Sequence, residues 1–396
     1  MVVKPRIRGF ICTTAHPVGC MKNVQDQIQH VTSRPSIEGA SNALVVGCST
    51  GYGLASRVTV AFGCRANTLG ISLEKEPDKQ RTGSAGWYNN LAFDREAFKN
   101  DLFAKTINGD AFSTEIKHQA IDVIRNEMAP IDLIVYSLAS PVRIHPRSGE
   151  AFRSSIKPIG KPLQSRTLTL DVLRDKCDVA DIDLEPASNT EIASTIAVMG
   201  GEDWGMWIEE LRNAQVLADS CKTIAYTYLG NELTEPIYRG GTLGRAKEDL
   251  DRVRDVLNSD ADSAGIEALV AVLKAVVTQA STAIPVVPLY FSILFKIMKE
   301  HGTHEDCIAH MYRLFGEQVY GTPRRLDDSM RIRMDNFELD PDIQSRVKAI
   351  WETIDSSNAR DLADIAGFRS DFLKLFGFGR PDVNYDEDVD PQFIVP

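Results

Sequence analysis

Along the first part of the chain, short apolar runs alternate with amphipathic stretches. Ala43–Val46, Thr68–Leu73 and Ile131–Tyr136 are the runs, the last almost continuously apolar, and a further strand is expected near Ala104–Ile107. Such runs mark parallel strands buried on both faces. Between them, Leu54–Phe62, Arg95–Phe103 and Ser113–Asn126 carry apolar residues at helical spacing, and Val24–Thr32 does so within a leader that also holds short strand-like pieces. Strands alternating with helices predict a doubly wound parallel α/β sheet, with ligands bound beyond the C-terminal strand ends. Residues 141–200 break this rhythm with prolines, turns and basic residues, and read as an insertion. The pattern then predicts a helix over Asp203–Asp219, a strand over Thr223–Leu229, and helices over Leu243–Leu257, Ala264–Thr278 and Pro288–Glu300. The last hundred or so residues look helical and polar, with loop signals at Gly321-Thr322-Pro323 and an acidic tail from Gly377 expected to run over the surface. No repeat, low-complexity tract or clean linker is visible. The chain therefore reads as a unit of residues 1–300 with a helical region, 301–396, packed on it.

The turn after the first strand is Gly47-Cys48-Ser49-Thr50-Gly51-Tyr52-Gly53. A strand, a glycine turn and a helix N-terminus form a phosphate cradle: glycines admit a pyrophosphate close to the backbone, and free N–H groups and the helix dipole favour its charge. The second strand ends at Glu74, 21 residues beyond Gly53. A carboxylate there accepts hydrogen bonds from the adenosine ribose and repels a 2′-phosphate, which favours NAD(H) over NADP(H). Asp110-Ala111 and Leu138-Ala139 fall at two further strand ends. A structural glycine turn beside an unrelated surface glutamate is the plainer alternative. The order strand, turn, helix, strand, acid favours a dinucleotide on a Rossmann-type sheet.

Composition narrows the field. The chain has 396 residues and a net charge of −11, which disfavours general nucleic-acid binding and anionic membranes. Met1–Arg6 lacks the apolar core of a signal peptide. The longest apolar stretch, Ala283–Phe295, contains Pro285 and Pro288 and is too short for a membrane span. Seven scattered cysteines, an odd number, fit a reducing cytoplasm. The clusters Cys12/His16/Cys20 and His304/Cys307/His310 each lack a near fourth ligand, so no metal is expected. Arg143, Arg147, Arg153, Lys157, Lys161 and Arg166 face only Glu150 in charge between Pro141 and Arg166. This excess reads either as a solvated insertion or as a surface for an anionic partner.

A nicotinamide enzyme of this architecture needs an acid near the hydride acceptor. A tyrosine with a nearby lysine serves in short-chain dehydrogenases, the lysine favouring the phenolate and binding the nicotinamide ribose. Neither Tyr-x3-Lys nor Tyr-x6-Lys occurs; Tyr238-x8-Lys247 does. On one unbroken helix nine positions rotate by about 900°, placing the two side chains on opposite faces. They can converge only across a break, which Gly240, Gly241 and Gly244 can supply. Tyr238 is therefore placed before the turn and Lys247 in the first turns of the next helix. A core tyrosine and a surface lysine fit the spacing equally well.

Taken together, several segments resemble the V-type enoyl-acyl-carrier-protein reductases, also described as trans-2-enoyl-CoA reductases. They are Arg8–Cys12, His16-Pro17, Gly47–Gly53, Gly86–Asn89, Gly109–Ser113, Tyr136–Ala139, Met199–Trp204, Tyr228–Gly230, Tyr238-x8-Lys247 and Ile284-Pro285 with Pro288–Tyr290. The similarity runs nearly end to end. It implies a short-chain-dehydrogenase-like fold with extra helices and insertions. It also implies NADH-dependent reduction of the trans-2 double bond of enoyl thioesters, carried on acyl carrier protein or CoA, in fatty-acid biosynthesis, by a cytoplasmic, largely monomeric enzyme. By the same resemblance Tyr238 is the proton donor, Lys247 its electrostatic and ribose-binding partner, and Tyr228 a substrate contact. NADH would meet Gly47, Cys48, Ser49, Thr50, Gly51, Tyr52, Leu73, Glu74, Asp110, Ala111, Leu138, Ala139, Lys247, Val276, Val277 and Thr278. Part of the family's C-terminal region is sometimes described as flavin-binding. No dinucleotide motif lies there, so FAD is not expected. Ile284–Met298 is either a wall for the acyl chain or ordinary core helix. A 3-ketoacyl (carbonyl) reductase and a non-catalytic NADH sensor remain as alternatives on the same fold.

Overall fold

The apolar runs become strands because both of their faces are covered. The computed structural model describes residues 1–260 and 265–392. A small hairpin of β1 (Ile7–Arg8) and β2 (Ile11–Cys12) leads into α1 (Pro17–Thr32), whose first turn is capped by His16 Nδ1 accepting from Gly19 N at 3.2 Å. The α/β alternation follows as β3 (Asn42–Val46), α2 (Gly51–Val58), β4 (Asn67–Ser72), α3 (Ala85–Lys99), β5 (Ala104–Asn108), α4 (Thr114–Glu127) and β6 (Ile131–Tyr136). The insertion holds β7 (Val142–Ile144), β8 (Ala151–Arg153), β9 (Leu163–Asp171), β10 (Lys176–Leu184) and α5 (Asn189–Met199). Then come α6 (Glu202–Asn213), β11 (Leu217–Thr227), α7 (Thr242–Ser259), β12 (Ile266–Val272), α8 (Val287–His301) and α9 (Cys307–Arg313). The chain closes with β13 (Ile332–Arg333), α10 (Pro341–Thr353), α11 (Ala359–Leu362) and α12 (Ile365–Lys374).

Among the described residues, seven parallel strands form one sheet in the order β13-β12-β11-β6-β3-β4-β5. The chain moves outward from β3 to β5, then returns to β6 on the other side of β3. That reversal is the topological switch point, where a parallel sheet opens a crevice beyond its strand ends. Val46, the last residue of β3, pairs with both Ile71 and Tyr136, so the turns after β3, β4 and β6 emerge side by side. One core lies under α1, α2, α3 and α9. A second lies under α4, α6 and α7 on the opposite face. A third surrounds α8, taking Leu168 and Leu170 from β9 and Phe368 and Phe372 from α12.

Several expected elements are redrawn. Most of the helix expected over Ala264–Thr278 is strand β12 followed by coil, and Ala264 itself lies outside the described residues. A short apolar run suits either element by periodicity; here Val270 and Val272 are buried between β11 and β13. The helix expected at Arg95–Phe103 is only the end of α3, which starts ten residues earlier, at Ala85. The helix expected through Asp219 stops at Asn213, because Gln215 turns at φ +57° into β11. The insertion is more ordered than its prolines suggest: β9 and β10 pair from Leu163↔Leu184 to Asp171↔Lys176. Its basic residues are largely spent within the molecule. Arg143 is buried and donates to Glu202 Oε2 at 2.7 Å, Arg147 pairs with Glu209, Lys157 with Glu191, and Arg166 donates to the carbonyl of Ile354. That leaves little of the excess for an anionic partner. The acidic tail is anchored as well as superficial: Val389 N donates to Met1 O at 3.0 Å, and Tyr88 Oη to Pro391 O at 2.7 Å.

Candidate active site

The turn after β3 is built for close approach. A Cβ on Gly47 (φ +85°) would stand 2.3 Å from Ser137 O, and one on Gly53 would stand 1.8 Å from Gly47 O. Only glycine permits the turns after β3 and β6 to meet here. No side chain caps α2: its N-cap, Thr50, leaves the helix's first N–H groups directed at the crevice. Arg57 fixes this helix from behind. Its buried guanidinium donates to Thr68, Thr106, Asp94 and the Lys105 carbonyl, and lies 4.2 Å from the Phe93 ring centroid.

Beyond the strand ends lies a cavity of about 710 Å³. At one end it is lined by Gly47, Ser49, Thr50, Gly51 and Tyr52, by Leu73 and Glu74 after β4, and by Asp110 and Ala111 after β5. Leu138 and Ala139 after β6, and Val276 and Thr278 after β12, complete this part. Two expected contacts stand apart. The Cys48 side chain is buried beneath the turn, its thiol facing Asn90 and pushed up to about 11 chiefly by burial, so only its backbone is near the crevice. Val277 faces a neighbouring cavity of about 420 Å³ on the other side of the turn.

Second-layer bonds hold these walls. Glu74 accepts from Ser49 Oγ at 2.5 Å and from Ser84 Oγ, while its own N–H is held by Asn108. A Cβ on Gly86 would fall 2.1 Å from the Glu74 carboxylate, so this glycine makes room for the acid. The Asp110–Phe112 segment is gripped from behind by Lys117. Its buried ammonium donates to the carbonyls of Ala111 and Phe112 and to Asp203 at 2.7 Å, and Tyr136 donates to the same carboxylate.

At the inner end of the cavity stand Tyr226, Tyr228, Tyr238, Lys247, Lys274 and Phe291. Tyr238 and Lys247 both line this cavity, Tyr238 from the turn before α7 and Lys247 from α7 itself. Gly241 N and Gly244 N both donate to Tyr238 O, at 3.0 and 2.7 Å, folding the start of α7 back over the tyrosine. A Cβ on Gly244 would sit 2.1 Å from Arg239 O. Lys247, in the second turn of α7, donates to Tyr226 O at 3.2 Å. Burial pulls its pKa from 10.5 to about 8, with Asp251 opposing. The phenol of Tyr238 shifts the other way: burial, then the negative Glu338, raise its pKa, so at neutral pH it is protonated.

Of α8, Phe291 reaches this cavity, and most of the helix is core. Sequence reasoning passed over Lys274 and Glu338. Lys274 lies two residues beyond β12, in a segment whose sequence pattern predicts helix. Glu338 has no local signal beyond a lone acid between Phe337 and Leu339. Among the described residues, no group of three or more His, Cys, Asp or Glu side chains is arranged to hold a metal ion. His310 is paired with Glu305 at 2.9 Å.

A dinucleotide-sized cavity at the switch point of a parallel sheet, with a protonated phenol at its inner end, is the architecture of nicotinamide-dependent oxidoreductases of the Rossmann class. Comparison with known proteins narrows the class. Residues 2–79 match the NAD(P)H binding domain of trans-2-enoyl-CoA reductase, residues 81–320 its catalytic region, and residues 326–389 the enoyl reductase FAD binding domain. The chain is 52% identical over 393 residues to the enoyl-acyl-carrier-protein reductase (NADH) of Idiomarina loihiensis, covering 99% of both chains. It superposes on the trans-2-enoyl-CoA reductase of Treponema denticola in complex with NAD with a TM-score of 0.93, at 46% identity and 98% coverage of each chain. The enzyme of Clostridium acetobutulicum in complex with NADH gives a TM-score of 0.94 at 40% identity, covering 100% of both. The chain belongs to the trans-2-enoyl-CoA reductase family.

Proposed function

We propose that Tyr238 and Lys247 act together at the inner end of this cavity in the NADH-dependent reduction of enoyl thioesters. The observation that carries this reading is their convergence, across the glycine break, on the cavity that begins at the Gly47–Gly53 turn. The glycine contacts and the uncapped helix suit a pyrophosphate, and Glu74 suits a ribose diol. Bound NADH supplies a hydride for C3 of the conjugated thioester. The protonated Tyr238 phenol donates to the thioester oxygen as negative charge develops there, a placement that lowers a barrier by about 2.7–4 kcal/mol for one fixed donor, and protonation of the resulting enolate at C2 gives the saturated thioester. Lys247 spends one donor on Tyr226 O and, while protonated, keeps others for the nicotinamide ribose and for the charge on the phenol.

The substrate class is the enoyl thioester itself, with CoA or acyl carrier protein as carrier. We read residues 301–396 as part of the same working unit as residues 1–300, because β13 extends the sheet and Glu338 accepts from Tyr228, which lines the cavity. We assign residues 326–389 to support of that site rather than to FAD: Glu338 is spent inward, and the segment carries no glycine-rich strand–turn–helix among the described residues. Work in a reducing cytoplasm fits the free thiols of all seven cysteines. No described helix is long and apolar enough to cross a membrane.

The test is NADH oxidation with crotonyl and longer enoyl thioesters beside a 3-ketoacyl thioester. Turnover of the enoyl substrates by protein without visible flavin absorbance is expected. Turnover confined to the ketone would transfer the site to carbonyl reduction, and binding of NADH without any turnover would make it a sensor. Glu74→Ala should raise the ratio of kcat/KM for NADPH over NADH by about tenfold, the value of a lost charge-assisted bond and a relieved repulsion. An unchanged ratio in steady-state kinetics removes Glu74 from the ribose.

A further inference from the structure

Glu338 lies outside the cavity, in the turn between β13 and α10, and is fully buried. Three donors converge on it. Tyr228 Oη and Tyr290 Oη donate to Oε1 at 2.6 and 2.8 Å, and Ala275 N donates to Oε2 at 2.6 Å. Gln344 braces the turn by donating to Glu338 O at 2.6 Å and to Tyr290 Oη at 3.2 Å. Burial raises the Glu338 pKa, and the donors Tyr228, Ala275 and Tyr290 and the charge of Lys274 oppose that rise. An ionised carboxylate only accepts, so the three donors suit the anion, and both phenolic protons are committed to it.

Two walls of the cavity depend on that socket. Tyr228 faces the cavity, and its ring meets the Tyr238 ring edge-on, with centroids 4.6 Å apart and planes at 75°. Ala275 opens the segment that supplies Val276 and Thr278 to the cofactor end. The Tyr228 proton points at Glu338, so Tyr228 offers the cavity its ring and an oxygen lone pair. Tyr238 is then the phenol whose proton is free for the thioester oxygen.

We propose that Glu338 is a positioning residue of the reductase: it holds the Tyr228 proton away from the cavity, fixes the Tyr228 ring against Tyr238, and ties the Ala275–Thr278 segment to the same point. Glu338 acts through these groups and does not line the cavity itself. Burial, and after it the Glu338 charge, raise the pKa of both Tyr228 and Tyr238. This inference rests on Tyr238 being the donor.

The test is Glu338→Gln in the full chain, assayed with NADH and crotonyl-CoA. The amide keeps the shape, but its NH2 group must face either the phenols or the Ala275 N–H. Facing the phenols, it turns the Tyr228 hydroxyl around. We expect kcat to fall about tenfold, as for loss of a bond to a charged group, with KM for NADH changed by less than about twofold. In a Tyr228→Phe background, where no hydroxyl can be misdirected, the same change should cost less than about twofold. Parental kcat in Glu338→Gln overturns the proposal. So does an equal tenfold cost in the Tyr228→Phe background, which would make Glu338 merely structural. If Glu338→Gln does not fold, Tyr290→Phe loosens the same carboxylate from outside the cavity. It should lower kcat by about threefold in the parent and leave the Tyr228→Phe variant unchanged, and parental kcat overturns the proposal here too. Near-parental turnover in Tyr238→Phe would mean that the donor assignment has failed. Loss there with parental turnover in Glu338→Gln defeats the present inference alone.

Discussion

Replacing Tyr238 by phenylalanine should lower kcat for crotonyl-CoA by about 10²–10³-fold, the cost of removing one preorganised donor at a developing oxyanion. The magnitude follows from the surroundings of the phenol. Tyr238 is 7% exposed, so little water is at hand to replace its hydroxyl. Burial and Glu338 hold it protonated, so the whole population is competent to donate at neutral pH. Its main chain is pinned by Gly241 and Gly244, and the edge of Tyr228 abuts its ring, so phenylalanine should sit where tyrosine sat. The Kd for NADH, read by nucleotide fluorescence, should therefore stay within about twofold, because the loss falls on the transition state. Near-parental kcat would remove Tyr238 from the chemistry.

Lys247→Met should lower kcat/KM for NADH by about 10²-fold, since it removes both a ribose donor and the positive charge that offsets a forming phenolate. The same residue sets a pH limit. Its folded pKa is about 8, well under 10.5, because burial penalises the ammonium. The ammonium is present below that value and is lost as pH rises through it, so kcat/KM for NADH should decline on the alkaline side around pH 8. Stability moves the opposite way. Between about 8 and 10.5 the unfolded chain holds more of this proton than the folded one, so this group's contribution to folding stability rises with pH across that window. Lys247→Arg, which stays charged, should shift the alkaline limb upward. An alkaline limb unmoved in Lys247→Arg would assign it to another group.

The parts of this site that were legible in the sequence are those written locally. Strands β3 and β6 are nearly continuous apolar runs because helices cover both faces of the sheet, and the Gly47–Gly53 turn is legible because close approach excludes every other residue. The Tyr238–Lys247 spacing could be converted into geometry because Gly240 and Gly241 precede the start of α7 at Thr242, which leaves Tyr238 in the turn and Lys247 on the helix; Gly244, read as part of the break, lies inside α7. What escaped was non-local. β12 looked helical because a seven-residue apolar run has no decisive period, and with it went the position of Lys274 just beyond a strand end. The β9–β10 hairpin was hidden because its strands are rich in polar and charged residues, among them Arg166, Asp178, Asp181 and Asp183, and Arg166 finds its partner, the Ile354 carbonyl, far along the chain. Glu338 is defined only by Tyr228, Ala275 and Tyr290, which lie 110, 63 and 48 residues away, and no local pattern encodes such a meeting. The Cys48 and Val277 side chains show the converse limit, since a motif names a segment and the fold decides which of its side chains face the cavity.

The claim on which the account turns is that one phenol and one ammonium, delivered from either side of a glycine break, work as a single device. The most direct measurement is kcat/KM for Tyr238→Phe, Lys247→Met and the double variant, all with NADH and crotonyl-CoA. Residues that act as a unit give strongly non-additive losses, so the double variant should be no more than about threefold worse than the poorer single one. Losses that multiply across the two sites would show that Tyr238 and Lys247 act independently, and would contradict the account.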